Sequence, residues 1–412
     1  MNDQQPSTGE SGEVPADVIE RSARFEPDTP EWRYQVAALA HKFFNLAHSE
    51  KVARWIGKAI TPNVVDPWAV IDFYHYTTKI GIRSSGGGED VTRLCSAMER
   101  AGLLVPAGWH PKFTLLGQQY ISQHKPSPQK NGHGVLWLSE ALGAELIIPA
   151  YERVTALVHG VDEQGIPNGG IGTGLILDRR RLITNRHVIE QLSAGGGSIG
   201  VKFPGNPLPG NCQITVSLHE HIDFALIELS TDAFQPLDGM VFRDPEWADE
   251  VYVFGYPPVP WATDDVLTVQ RGEVVSPSAE SPAAGGSPRQ KFFLYSAIAR
   301  PGNSGGPIVA HDGRVIGMVF EDSMHSTKAA AAGYEEPRPQ RTWERIDQLD
   351  RDVEEIRIRT SAPAFYRGIP ASEIMSALEA FGSRGAALFE GVDPPDHLPG
   401  EKATIHYDLS PP

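Results

Sequence analysis

From Val154 to about residue 370 the chain alternates short apolar runs with breaks at Gly or Pro every 8 to 12 residues. That rhythm predicts an all-β barrel or sandwich. The predicted strands are 153–158, 171–177, 181–184, 199–203, 213–218, 223–229, 251–255, 266–275, 291–297, 306–310, 314–320 and 364–369. One break stands apart: Arg300-Pro301-Gly302-Asn303-Ser304-Gly305-Gly306-Pro307 follows the run Phe292 to Tyr295. A strand feeding a tight glycine turn pushes one hydroxyl outward. A hydroxyl is a poor nucleophile near neutral pH, so it needs a base, and the base needs an orienting acid.

Both are available upstream. His187 lies in Leu182-Ile183-Thr184-Asn185-Arg186-His187-Val188-Ile189, and Asp223 opens the apolar run Phe224 to Ile227. Spacing alone does not choose His187 among fourteen histidines. Asp223 competes with Asp178, Asp232, Asp264 and Asp265; a place at the head of an apolar strand would fix it to the core. A rival reading makes His219-x-His221-x-Asp223 a metal site, since alternate strand residues share a face. Only three ligands are visible there, and solvated strand residues are the plainer reading. Gly169 to Gly174 lacks the helix and acidic residue of a dinucleotide loop, and Gly86–Gly88 and Gly195–Gly197 lack the Lys-Ser/Thr of a phosphate loop.

Gly172-Thr173-Gly174-Leu175, Thr184-Asn185-Arg186-His187-Val188, Asp223-Phe224-Ala225-Leu226-Ile227 and Gly302-Asn303-Ser304-Gly305-Gly306-Pro307 stand in that order. Together they resemble the trypsin-like serine peptidases, in the bacterial, disulfide-free form of the high-temperature-requirement proteases. The intervals are 36 residues from His187 to Asp223 and 81 from Asp223 to Ser304. The resemblance covers about residues 148–390 and implies a mainly β, chymotrypsin-like pair of six-stranded barrels with the site in the cleft between them. It implies Ser304 as nucleophile, His187 as base, Asp223 as its orienting acid, and the backbone N–H groups of Gly302 and Ser304 as the oxyanion hole. Its pocket would draw on Ile298, Phe320, Glu321, Asp322 and Gly368. Ile298 makes that pocket apolar; Glu321 and Asp322 read as a solvated rim, with a preference for a basic side chain as the alternative. Asn303 replaces the aspartate that precedes the serine in animal zymogens, so activation by N-terminal clipping is not expected. No cofactor and no resident metal are expected.

The rest of the chain is differently made. Residues 1–28 read as a flexible acidic tail and 391–412 as a C-terminal tail. Between them, 29–122 reads as a helical module and 123–147 as a linker with a joining helix. Thr29 caps a helix with Pro30 at its first position, and Trp32, Val36, Leu39, Phe43 and Leu46 make its apolar face. A second pattern starts at Asp66-Pro67, and a third carries Val91, Leu94, Cys95, Met98 and Ala101 before Gly102. Leu103 to Val105 and Phe113 to Leu115 are expected to pair as a hairpin. Helices followed by such a hairpin resemble a winged helix, whose 89–101 helix would expose Thr92, Arg93, Ser96, Glu99 and Arg100. The module holds 12 Lys/Arg and 9 Asp/Glu over residues 31–145, against a whole-chain charge of −16. So small a basic excess, with Glu99 opposing phosphates, favours docking of a regulatory protein partner over DNA. An insertion at 323–363 reads as a helix, with Trp343, Ile346, Leu349, Val353 and Ile356 at heptad-like spacing, that either docks on the barrel or gates the site or binds a partner.

Two cysteines, Cys95 and Cys212, rule out a disulfide framework and suit a reducing compartment. The opening residues lack the basic and apolar regions of a secretory signal, and no membrane-length apolar run occurs. The expectation is a cytoplasmic serine endopeptidase that cleaves protein substrates under control of its N-terminal module. By analogy of architecture alone it resembles protease effectors of bacterial antiviral defence. The alternative is a DNA- or protein-binding regulator whose protease fold mainly binds.

Overall fold

The computed structural model describes residues 26–27, 29–58, 67–123, 134–161, 167–194, 198–203, 212–281, 289–320, 365–383 and 388–389. Helix α1 (Pro30–Phe43) starts as its sequence dictates: the Thr29 hydroxyl accepts the Trp32 N–H at 3.2 Å, with Pro30 in the first turn. Trp32, Val36, Leu39 and Phe43 are buried, but Leu46 is 41% exposed. The helix stops at Phe43, and the Asn45 side chain caps a new short turn, which rotates Leu46 off the stripe. There follow α2 (Ser49–Ile56), β1 (Trp68–Ala69), α3 (Val70–Lys79) and α4 (Gly88–Arg100). Val91, Leu94, Cys95 and Met98 form the buried face of α4 as expected.

The hairpin differs from its prediction. Strand β2 (Leu104–Trp109) pairs not with 113–115 but with β3 (Gln118–Ser122), Leu104 opposite Ser122. Leu115 is 83% exposed in the connection, where the Trp109 Nε1–H donates to the Phe113 carbonyl. The longer hairpin instead buries Tyr120, which packs on Phe44. Strand β1 adds to the far side of β3, giving a three-stranded sheet.

Residues 136–152 join the two halves. A short turn at Leu136–Leu138 leads into α5 (Ser139–Leu142) and α6 (Ala144–Glu152). Trp137, Leu138 and Leu146 pack in the N-terminal core, while Leu136, Ile147 and Tyr151 pack in the β core. The joining helix therefore continues past residue 147, because its second face is claimed by the barrels.

The β region begins with β4 (Thr155–Val161), β5 (Pro167–Ile176), β6 (Arg181–Thr184), α7 (Arg186–Ala194), β7 (Ser198–Lys202), β8 (Ile214–Leu218) and β9 (Ala225–Leu229). The six strands form one antiparallel sheet in the order β7-β4-β5-β6-β9-β8. Then come β10 (Val241–Phe242), β11 (Glu250–Gly255), β12 (Thr268–Glu280), β13 (Lys291–Tyr295), β14 (Pro307–Ala310), β15 (Val315–Phe320), β16 (Tyr366–Pro370), α8 (Ala371–Ala380) and β17 (Leu388–Phe389). The run β14-β11-β12-β13-β16-β15 is closed by pairing of β14 with β15, so six strands make a barrel. Phe293 fills its interior, in the space left by Gly317 and Gly368. The two-residue strands β10 and β17 extend this sheet beyond β15. They went unpredicted because two residues carry no period.

The β14–β15 turn also meets the joining segment. Gly313 (φ +80°) lies against Ser139, and the Tyr151 hydroxyl donates to the Gly313 carbonyl at 2.7 Å. Beside this turn is a buried charge network. Arg243 donates to both oxygens of Asp249 and to Asp312, each at 2.8 Å, and Arg314 donates to Asp312. Burial pushes the Asp312 carboxyl up, but the two guanidinium groups outweigh it and hold the pKa below the usual range. Arg243→Leu will leave two buried carboxylates without their shared cation, and urea unfolding should register a loss of about 3–5 kcal/mol.

Candidate active site

Strands β6 and β9 pair antiparallel, with Thr184 opposite Ala225. That register brings the residues just beyond the end of β6 beside those just before β9. His187 stands in the first turn of α7, and Asp223 two residues ahead of β9. One Asp223 oxygen, Oδ1, accepts the backbone N–H of His187 at 2.8 Å, and the other, Oδ2, lies 2.6 Å from Nδ1 of its ring. An acceptor-only carboxylate fixes the proton on Nδ1 and leaves the lone pair on Nε2. Asp223 is itself held: its carbonyl accepts the Asn185 side-chain amide at 3.0 Å, and Arg186 donates to the carbonyls of His219 and Glu220.

The Ser304 turn is set by its own backbone. Asn303 N–H donates to the Arg300 carbonyl at 2.9 Å, and the Asn303 side chain accepts the Arg300 N–H in return. Gly302 has φ +99°, and a Cβ there would lie 2.5 Å from the Tyr256 carbonyl, so only glycine fits. Gly305 has φ +84° and is pressed against the Thr173 carbonyl and the Thr184 hydroxyl.

Thr173, on β5, stitches this turn to the first sheet. Its N–H donates to the Ser304 carbonyl at 2.8 Å, and its hydroxyl donates to the Gly302 carbonyl at 2.6 Å. Its carbonyl accepts the Thr184 hydroxyl, two residues from the start of α7. These bonds tie the Ser304 turn to β5 and, through Thr173, to Thr184 at the end of β6. Ser304 is buried, 2% exposed, while the His187 side chain is 26% exposed. The motif Gly172-Thr173-Gly174 was visible in the sequence, but this role of Thr173 was not. The two glycines let β5 pass under Val188 and Leu182 without collision.

The predicted pocket residues are scattered. Phe320 meets His187 edge to face, ring centroids 6.5 Å apart. Ile298 projects outward, 46% exposed, between the buried Ala297 and Ala299. Gly368 faces the barrel interior, where Phe293 occupies the space a side chain would need. Glu321, Asp322 and the 323–363 insertion lie outside the described residues. One residue not foreseen is Arg367, stacked over Phe320 at 4.8 Å and Phe292 at 5.4 Å.

The metal reading of His219 and His221 gains nothing from the structure. His219 Nδ1 accepts the N–H groups of His221 and Ile222, and Asp223 is engaged with His187. Among the described residues no group of three or more His, Cys, Asp or Glu is placed to hold a metal, and no helix is long and apolar enough to cross a membrane.

Residues 172–318 match the family of the trypsin-like peptidase domain. The chain is 33% identical over 150 residues to the uncharacterized protein y4bJ of Sinorhizobium fredii, covering 36% of this chain and 21% of that one. It is 28% identical over 251 residues to the magnetosome formation protease MamE of Paramagnetospirillum magneticum, covering 58% and 32%. The chain thus spans between a fifth and a third of the length of these curated relatives. Among solved structures, the active form of the Rv3671c protease from M. tuberculosis superimposes with TM-score 0.39 at 18% identity, over 62% of this chain and 88% of that one. The HtrA-type protease AlgW, solved with a tripeptide, gives TM-score 0.38 at 16% identity, over 58% and 63%.

Proposed function

We propose that this chain, a member of the trypsin-like peptidase family through its residues 172–318, is a serine endopeptidase working through His187, Asp223 and Ser304. The observation that carries this reading is the pair of hydrogen bonds that Asp223 accepts from the backbone and ring of His187, which fixes the ring tautomer. With Nδ1 occupied, Nε2 takes the Ser304 proton as the oxygen attacks a peptide carbonyl, then returns it to the leaving amine. The N–H groups of Gly302 and Ser304 receive the developing oxyanion, and water releases the acyl group in a second round. The chemistry uses no cofactor.

The N-terminal module is read as the controlling element, winged-helix-like in the succession of α1–α4 and β2–β3. A protein partner suits it better than DNA. On α4, Arg93 is already paired with Asp90 at 2.6 Å, and Glu99 accepts the Tyr120 hydroxyl. A role in bacterial defence would place that partner upstream of the protease, with the two free cysteines suiting the cytoplasm.

The test is a fluorophosphonate probe on the purified chain, with the labelled residue identified by mass spectrometry and a gel-shift run beside it. Labelling at Ser304 is expected, together with hydrolysis of a denatured protein substrate. A folded chain that shifts DNA but neither takes the probe nor cleaves would replace the enzyme with the binding regulator.

A further inference from the structure

We infer that the side chain of Asn303 is the positioning group that holds the Gly302 N–H in place for the developing oxyanion. This rests on the endopeptidase reading and deepens it, because it names what sets the geometry of that site's hole. Residues 300–303 form a tight turn closed by the Asn303 N–H, which donates to the Arg300 carbonyl at 2.9 Å. Two turn types share such a bond and differ in the direction of the middle peptide unit. Here the middle unit joins Pro301 to Gly302 and carries the Gly302 N–H. The φ of +99° at Gly302 belongs to the type with a positive φ at the third residue. Pro301 and Gly302 suit that form, but the freedom of glycine keeps the other within reach. Rotating the unit would turn the N–H away and put the Pro301 carbonyl in its place, while the closing bond survived.

The remaining bonds decide between the two. The Gly302 carbonyl accepts the Thr173 hydroxyl at 2.6 Å, the Asn303 carbonyl accepts the Gly306 N–H at 2.9 Å, and the Ser304 carbonyl accepts the Thr173 N–H at 2.8 Å. All three hold peptide units that follow Gly302. On the other side Pro301 has no N–H to offer. The hold there comes from Asn303, whose Oδ1 accepts the Arg300 N–H at 3.2 Å. Both polar groups of the Arg300 main chain are then bonded to Asn303, so the two ends of the turn are joined twice. A peptide unit rotates between its neighbours only if they yield, and the second bond stiffens both ends.

The charge of this side chain matters as much as its reach. Asn303 is 1% exposed, and among the described residues its Nδ2 has no hydrogen-bond partner. It lies against Gly255, where a Cβ would stand 2.7 Å from it. A neutral amide is tolerated in such a place at modest cost, whereas a carboxylate would be a buried charge. Aspartate at this position keeps the bond to Arg300 without that penalty only when it is protonated.

The experiment uses the full chain, a fluorogenic peptide that wild type cleaves, and a matched peptide boronic acid whose tetrahedral adduct with Ser304 places an oxygen in the hole. Asn303→Ala should lower kcat by about 10- to 100-fold with KM nearly unchanged, and weaken the boronic acid by a similar factor, less than the roughly 10²–10³ of deleting a hole donor outright. Asn303→Asp supplies the second arm. Its rate relative to wild type at the same pH should rise about tenfold or more between about pH 8 and about pH 5.5, as a carboxyl raised by burial takes up its proton. Taking the ratio removes the titration of His187, which both proteins share. Asn303→Ala that keeps kcat and boronic-acid affinity within about threefold of wild type overturns the inference. So does a loss that falls equally on substrate and boronic acid binding with a lowered melting temperature, or an Asn303→Asp ratio that stays flat with pH. Failure of both variants to fold marks a purely structural residue and overturns it too. A wild type that neither takes the fluorophosphonate probe nor cleaves overturns the protease reading instead.

Discussion

Ser304→Ala will lower peptide hydrolysis by about 10⁶, and adding His187→Ala to it will cost almost nothing more. In the proposed mechanism the two side chains act on one proton, so either deletion abolishes the same step. The variant removes the hydroxyl and leaves the backbone bonds of the turn in place. Ser304 is held by its carbonyl, which accepts the Thr173 N–H, and by neighbours fixed through Gly302 and Gly305. Thermal unfolding of the variant should match wild type, which separates lost chemistry from lost structure. A residual rate of roughly 10³–10⁴ over water is expected to survive, from substrate binding and the backbone donors at Gly302 and position 304. Single-turnover hydrolysis of a peptide substrate measures it. Persistence of wild-type rates in the alanine variant would remove the nucleophile from the mechanism.

The parts of this site that the sequence made legible are those that sit on apolar runs. His187 and Asp223 follow and precede strands whose side chains read as core, and β6 and β9 pair in a register that brings them together. The parts that escaped depend on register or on buried polarity. Thr173 looks like one more strand residue between glycines; its three bonds to the Ser304 turn and Thr184 exist only once the two sheets meet. Arg367 is separated from Phe320 by residues 321–366, so no local pattern pairs them. Arg243, Asp249, Asp312 and Arg314 read as surface charges, yet all four are buried around the β14–β15 turn. The hairpin failed for the reverse reason. Phe113 and Leu115 look like strand residues and are exposed, whereas Gln118-Gln119-Tyr120 looks polar and supplies the buried Tyr120. Apolar content predicts burial only on average, because folded surfaces retain much apolar area.

Asp223→Asn will lower kcat by about 10⁴ while changing the shape of the site very little. The carboxylate accepts twice, through Oδ1 from the His187 backbone N–H and through Oδ2 from the ring at 2.6 Å. An amide of the same size has one acceptor and one donor group. If its oxygen keeps the backbone bond, its NH₂ faces Nδ1, which must then act as acceptor. The ring proton moves to Nε2, and the lone pair that should receive the Ser304 proton is gone. If the amide turns over, the ring tautomer is restored but two N–H groups confront each other at the head of α7. The first arrangement costs catalysis and the second costs stability, so the amide will settle in the first. KM should change less than kcat, because the groups that hold substrate are untouched. Asp223→Ala should lose comparable activity and destabilise the chain as well, since the backbone N–H of His187 then loses its acceptor. Stopped-flow acylation at neutral pH, read beside thermal unfolding, distinguishes these outcomes. Retention of activity within tenfold by Asp223→Asn would mean that another group sets the tautomer of His187, and the assignment of the orienting acid would pass to that group.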